Sequence, residues 1–145
     1  MSASNRTFLR EIGGLIAANV SGLAAWNAGT QTGQIFIEND PEESEASNAV
    51  ILMTASDVGK QFLQIAAAGT AIVNIFIRGN STFAPDAKAQ DIYDYLDGTR
   101  TSCPINTTTY RFQVFRMLSR PVHTANTPAG RPVYLITMRV GYAEL

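Results

Sequence analysis

Two hydrophobic rhythms divide the chain. Near its start Phe8, Ile12, Leu15 and Ile16 recur at helical spacing, and Asn19 and Leu23 extend the same face. Ser4, Asn5 or Thr7 supplies a capping side chain at the start of this predicted helix. Gly13 and Gly14 weaken it by up to ~1 kcal/mol each relative to Ala, so it depends on tertiary packing. Two glycines at one level also admit another backbone at close range. The small-residue stretch GLAAWNAGTQTG ends the helix and turns the chain. QIFIE, from Gln34 to Glu38, then reads as a short strand with Ile35 and Ile37 on one side.

An acidic loop, NDPEESEAS, follows and carries Glu42, Glu43 and Glu45. AVILMT, Ala49 to Thr54, is a continuous apolar run and predicts a central strand. The segment ASDVGKQFLQIAAAG fits either one helical turn or a short strand. TAIVNIFIR, Thr70 to Arg78, is the clearest strand of the chain. Ala71, Val73, Ile75 and Ile77 form a wholly apolar face that belongs to the core, and Ile72, Asn74, Phe76 and Arg78 point the other way.

The stretch IFIRGNST has the outline of a phosphate-binding turn. It holds only Gly79, however, and lacks the Lys-Ser/Thr pair such a loop uses. Gly79 and Asn80 suit a turn, Ser81 or Thr82 a helix cap, and Pro85 and Asp86 a first helical turn, so the stretch predicts a joint between strand and helix. That helix places Ala89, Ile92, Tyr93 and Leu96 on one face and stops at Gly98. Asp91, Asp94 and Asp97 form a stripe near its C-terminal end, where they repel one another and oppose the helix dipole. The stripe is either a solvated face or a docking face for a partner's arginines.

TRTSCPINTTT reads as a polar loop. In YRFQVFRML, Tyr110, Phe112 and Val114 alternate with Arg111, Gln113 and Phe115. SRPVHTANTPAGR, Ser119 to Arg131, reads as a long Pro/Thr connection, expected to be poorly ordered in a free subunit; Arg120, His123 and Arg131 make it a candidate docking loop. PVYLITMRVGYAEL closes the chain as a long strand. The predicted order is helix, strand, strand, strand, helix, strand, strand. It specifies a single α+β domain over residues 1–145, a mainly antiparallel β-sheet with two α-helices packed on one face. Arg78, Arg111, Arg116 and Arg139 all fall on strands. A sheet face carrying arginines faces water or another subunit.

Composition sharpens this picture. Only 16% of residues are charged, low for a soluble monomer, so part of the surface is expected to be covered by partners or other copies. The formal net charge of -1 gives no sign of a protein built to grip nucleic acid. Nine of the eleven basic residues are Arg, the residue favoured where a cation meets a carboxylate at an interface. One cysteine, Cys103, and one histidine, His123, provide neither a disulfide framework nor a metal set nor a catalytic triad. No cofactor and no enzymatic activity is expected. The N-terminus lacks a long apolar signal core, and no run is long enough to span a bilayer, so no membrane partner is expected and the Asn-X-Ser/Thr triplets read as chance.

The order of these elements resembles the tail terminator (tail completion) proteins of long-tailed bacteriophages. The resemblance lies in the N-terminal helix TFLREIGGLIAANV, the acidic linker, the strand AVILMT, the pairing of AIVNIFIRG with the helix KAQDIYDYLDG, and the terminal strands YRFQVFRM and VYLITMRV. It covers roughly residues 7–142; GKQFLQIAAAGT has no counterpart in it. It implies a virion protein of the tail and neck, assembled in the bacterial cytoplasm as a homo-oligomer, a hexameric ring, on the head-proximal end of the tail tube. Its partners would be the tail tube protein and the head-tail connector, with DNA passing through the lumen without sequence-specific contact. Another neck component or tube subunit, and a small ligand-binding α+β domain, are the alternatives. The candidate subunit-interface residues are Asp91, Asp94, Asp97, Glu42, Glu43 and Glu45 on the acidic side, and Arg78, Arg111 and Arg139 on the basic side.

Overall fold

The two rhythms become α1 (Asn5–Asn19), β1 (Ile35–Ile37), β2 (Ala49–Thr54), β3 (Ala68–Arg78), α2 (Pro85–Leu96), β4 (Ile105–Asn106), β5 (Tyr110–Met117), β6 (Val122–Asn126) and β7 (Pro132–Glu144). The computed structural model describes residues 5–42, 46–54, 68–97 and 103–145. The elements form one α+β domain with a curled, seven-stranded, mostly antiparallel sheet. Strand order is β1-β2-β3-β7-β5-β4, with β6 beside β7. β1 and β2 run parallel and the other pairs antiparallel. β7 is the spine. Along one side it pairs with β3, and along the other first with β6 and then with β5.

The inner face of the sheet carries the core. Val73, Ile75 and Ile77 of β3 are fully buried, as the alternation predicts, and lie beside Val50 and Leu52 of β2 and Ile136 and Met138 of β7. Both helices enter this cluster, α1 through Phe8, Leu9, Ile12 and Ile16 and α2 through Ala89, Ile92 and Leu96. Phe8 is its aromatic hub: its ring meets Tyr142, Tyr110 and Phe112 at centroid separations of 4.9, 5.3 and 5.8 Å, all edge-on. Gly13 lets α1 approach the sheet; a Cβ there would stand 3.2 Å from Ile35 Cγ2, whereas Gly14 faces open space. The end of α1 is tied to α2, because Asn19 Nδ2 donates to Tyr95 Oη (3.0 Å) and Lys88 Nζ to the Ser21 carbonyl (2.7 Å).

The joint after β3 is structural. Gly79 is required by close approach: a Cβ would collide with Phe83 and lie 2.7 Å from Asn48 Oδ1. The helix cap differs from expectation. Neither Ser81 nor Thr82 caps α2; Ala84 occupies the N-cap at φ 53° without a side-chain hydrogen bond, and Asn80 Oδ1 instead closes the turn by accepting from Phe83 N–H (2.9 Å). Pro85, lacking a donor, then starts the helix.

Three further features depart from the sequence reading. The connection from Ser119 to Arg131 contains a strand, β6, so the expectation of a long unordered loop is corrected. This strand pairs with β7, with Val122 opposite Leu135 and His123 opposite Tyr134, and the tip between β6 and β7 remains a turn. β5 does not alternate strictly. Its register shifts between Phe112 and Val114, which turns Phe115 inward (0% exposed) and leaves Val114 outside (45%). Within the polar stretch before β5, Ile105–Asn106 forms β4. The ambiguous segment 55–67, with Gly98 and the acidic residues Glu43 and Glu45, lies outside the described residues.

Candidate interaction surface

Directly opposed residues of neighbouring strands share a face of the sheet. On the outer face, one row across the strands runs Ile51, Phe76, Leu135 and Val122. A second runs Ile72, Arg139 and Arg116. The described residues of both helices join the core cluster and not the smaller cluster on this face. Its covered end is a small cluster of Phe36, Ala46, Ala49 and Ile51, with Trp26 stacked on Phe36 at 4.9 Å. From there the apolar row opens progressively: Ile51 is buried, Phe76 and Leu135 are half-buried, and Val122 is 51% exposed.

Arg116 and Arg139 stand directly opposite each other and both are exposed, as is Arg111 farther along β5, opposite Ala143 and beyond the Val114–Gly141 pair. Like charges in direct cross-strand opposition are unfavourable. None of the three makes a side-chain hydrogen bond or ion pair with the described residues. Arg111 and Arg139, expected on an open face, are therefore brought together there.

Arg78 is corrected as a candidate interface residue. It is 6% exposed and engaged within its own chain, donating through Nη1 to the Asp40 carboxylate and through Nη2 to the carbonyls of Pro41 and Ala46 (3.1 Å to the latter), while its buried Nε finds no partner among the described residues. It pins the start of the acidic loop over the end of β2 and β3. A partner thirty-eight positions away leaves no local signal in the sequence. Glu42 of this loop is exposed.

The acidic stripe lies on α2. Asp91 is exposed, with no bonded partner among the described residues; Asp94 is half-exposed and accepts from Gln90 Nε2 (2.9 Å). The two line a cleft of about 320 Å³ with Asn19, Val20 and Ser21. Asp97 is half-exposed at the C-cap, its N–H on the Tyr93 carbonyl (2.8 Å). The stripe therefore sits on the helix layer, and the arginines on the outer face of the sheet. Among the candidate docking residues, His123 is exposed on β6, with Nε2 2.8 Å from Asn126 Oδ1 and its ring 5.5 Å from Tyr134; Arg120 is exposed and Arg131 half-buried at the hairpin tip.

No local pattern singles out Glu11, a polar residue of α1. Its carboxylate accepts from Thr107 Oγ1 and Thr109 N–H (2.9 Å), clamping the β4–β5 turn to α1. Burial works to raise its pKa, but these hydrogen bonds together outweigh it and hold the group below the usual carboxylate value. Beside it, burial first and then the Glu144 carboxylate push the Tyr110 phenol up to about 12, so it stays protonated. Burial also raises the Cys103 thiol, which packs half-buried against the core. That environment disfavours a reactive thiolate.

Among the described residues, no group of three or more His, Cys, Asp and Glu is placed to hold a metal, and no helix is long and apolar enough to cross a membrane. Compared with protein-family models and with curated proteins, the sequence finds no match.

Proposed function

We propose that the chain is a structural protein of a long-tailed phage that assembles as a ring on the head-proximal end of the tail tube. The ring halts tube polymerisation and offers a joining surface to the head connector, while DNA passes through its lumen. It acts by shape and contact, with no covalent step. The observation that carries this reading is the separation of unpaired charge onto opposite layers of one subunit. Arg111, Arg116 and Arg139 lie on the outer sheet face without an ion pair among the described residues, and Asp91 and Asp94 lie on the helix layer. A closed cyclic assembly needs two different, mutually complementary patches on each subunit, and this division supplies such a pair. The resemblance of element order to tail terminators gives the ring its setting and its expected copy number of six.

Each exposed pair contributes only ~0.2–1 kcal/mol, so the charges govern register and partner choice more than affinity. A ring repeats the contact around its circumference and multiplies a small loss. Reversal of the stripe (Asp91→Lys, Asp94→Lys, Asp97→Lys) is therefore expected to prevent ring closure while the monomer stays folded. Arg111→Glu with Arg139→Glu in the same chain is expected to restore closure. Normal assembly of the triple variant in moderate salt would make the stripe an ordinary solvated face.

A further inference from the structure

We infer that the outer face of the sheet, which the described residues leave open, is the centre of the contact between copies, with Ile51, Phe76, Leu135 and Val122 as its apolar core. Its occupant is a second copy of this chain, presenting the acidic side of α2. The inference rests on the ring reading and names the surface that reading requires.

Three observations carry it. First, the row is continuous across four strands and becomes more exposed toward β6. Beside it lies an apolar depression of about 210 Å³ between Ile51, Met53, Phe76 and Val133, with the Arg78–Asp40 pair at its rim. Val114, Leu118 and Val122, three of the most exposed large hydrophobic side chains, all belong to the β5–β6 side of the same sheet. An apolar centre with arginines along one flank is the anatomy of a protein contact. A nucleic acid would meet the arginines but leave the apolar row wet.

Second, the contact is made by the face and not by the strand edge. The edge formed by β5 and β6 carries two register shifts, at Phe112/Val114 and His123/Ala125, and Pro121 between the strands. Such features block the addition of another strand.

Third, charge selects the occupant. Ten of the twelve acidic residues lie between Glu38 and Asp97, whereas residues 100–145 hold six of the eleven basic residues and one acid, Glu144. The chain is close to neutral overall and strongly divided within itself. The arginine-bearing face of one copy therefore matches the acidic side of α2 in another, where Asp86 and Asp91 are exposed and Asp94 is half-exposed.

The test uses the intact chain in solution. Light scattering over a concentration series first records whether the wild-type protein self-associates, which tests the ring reading by itself. Val122→Glu and Leu118→Glu then place a charge at the open end of the face, at side chains 51% and 43% exposed, where folding has little to lose. Thr108→Glu, exposed in the β4–β5 turn, adds the same charge elsewhere. The expected result is an association at least tenfold weaker for Val122→Glu and Leu118→Glu, unchanged for Thr108→Glu, with identical circular dichroism in all four proteins. Association of both variants at wild-type strength overturns the inference and leaves the ring reading standing. A wild-type chain that stays monomeric both alone and with tail tubes overturns both.

Discussion

The two faces of one sheet follow opposite rules. On the inner face every β3 residue from Val73 to Ile77 that points inward is fully buried against two helices and an aromatic hub. On the outer face the same strand presents Ile72, Asn74 and Phe76, half-exposed, next to arginines that find no partner among the described residues. The inner face accounts for the fold. The outer face adds little to it and includes a cross-strand arginine pair that opposes it. Such a surface makes sense when its energetics are completed by something outside the subunit, and that is the physical basis of the assembly reading.

Breaking the inner face should have the largest effect. Phe8→Ala removes the ring that contacts Tyr110, Phe112 and Tyr142 and is expected to destabilise the subunit by about 3–5 kcal/mol. Chemical denaturation measures this directly, and a loss below about 1 kcal/mol would mean the hub is not the centre of the core.

Arg78→Ala comes next. It strands the carbonyls of Pro41 and Ala46, which the guanidinium now satisfies, and is expected to cost about 1–3 kcal/mol. Hydrogen exchange at the described ends of that loop should accelerate. If stability is unchanged but self-association is lost, Arg78 belongs to the interface after all.

Glu11 sharpens the contrast through pH. Its folded pKa lies below the unfolded value, so its stabilising contribution is fully present above the unfolded pKa and is lost as pH falls through the folded one. Glu11→Gln should therefore flatten the acid limb of the stability profile below about pH 5. An acid limb identical to that of the wild-type protein would show that the clamp on Thr107 and Thr109 does not stabilise the fold.

The smallest expected effect has the most telling sign. Arg116→Glu turns a repulsive cross-strand pair with Arg139 into an attractive one, so the monomer should gain ~0.2–1 kcal/mol in thermal or chemical unfolding. The same change should weaken assembly, because the outer face loses one of the cations proposed to meet the carboxylates of another copy. A variant that is less stable, or one that assembles as well as the wild-type chain, would contradict the division of labour between the faces.

Much of this fold is legible in short-range pattern. β2 spans the very residues of the run AVILMT, and the buried apolar residues of β3, Val73, Ile75 and Ile77, belong to the odd-numbered set that alternation selects. Pro85 marks the start of α2 for the local reason that it has no donor to lose. The misses have longer-range causes. β6 hides between Pro121 and Pro128, and its five exposed residues gain strand geometry only from β7. The register shift in β5 inverts Val114 and Phe115, since the pattern within one strand does not specify an extra residue in its pairing. Of the candidate site, the stripe and the free arginines followed from alternation and helical spacing. The engagement of Arg78, the clamp by Glu11 and the apolar row across four strands depend on contacts between distant segments, which one strand's periodicity does not encode.

The central claim is that this chain closes into a ring through two different surfaces of each copy. Its most direct test is the mass of the wild-type protein in solution across a wide concentration range, with the same samples viewed by electron microscopy. The account predicts one discrete species of several chains, six by resemblance to tail terminators, seen as a closed ring in projection. A particle that remains a single 15.7 kDa chain throughout, or an open-ended ladder of sizes without a closed form, would contradict it.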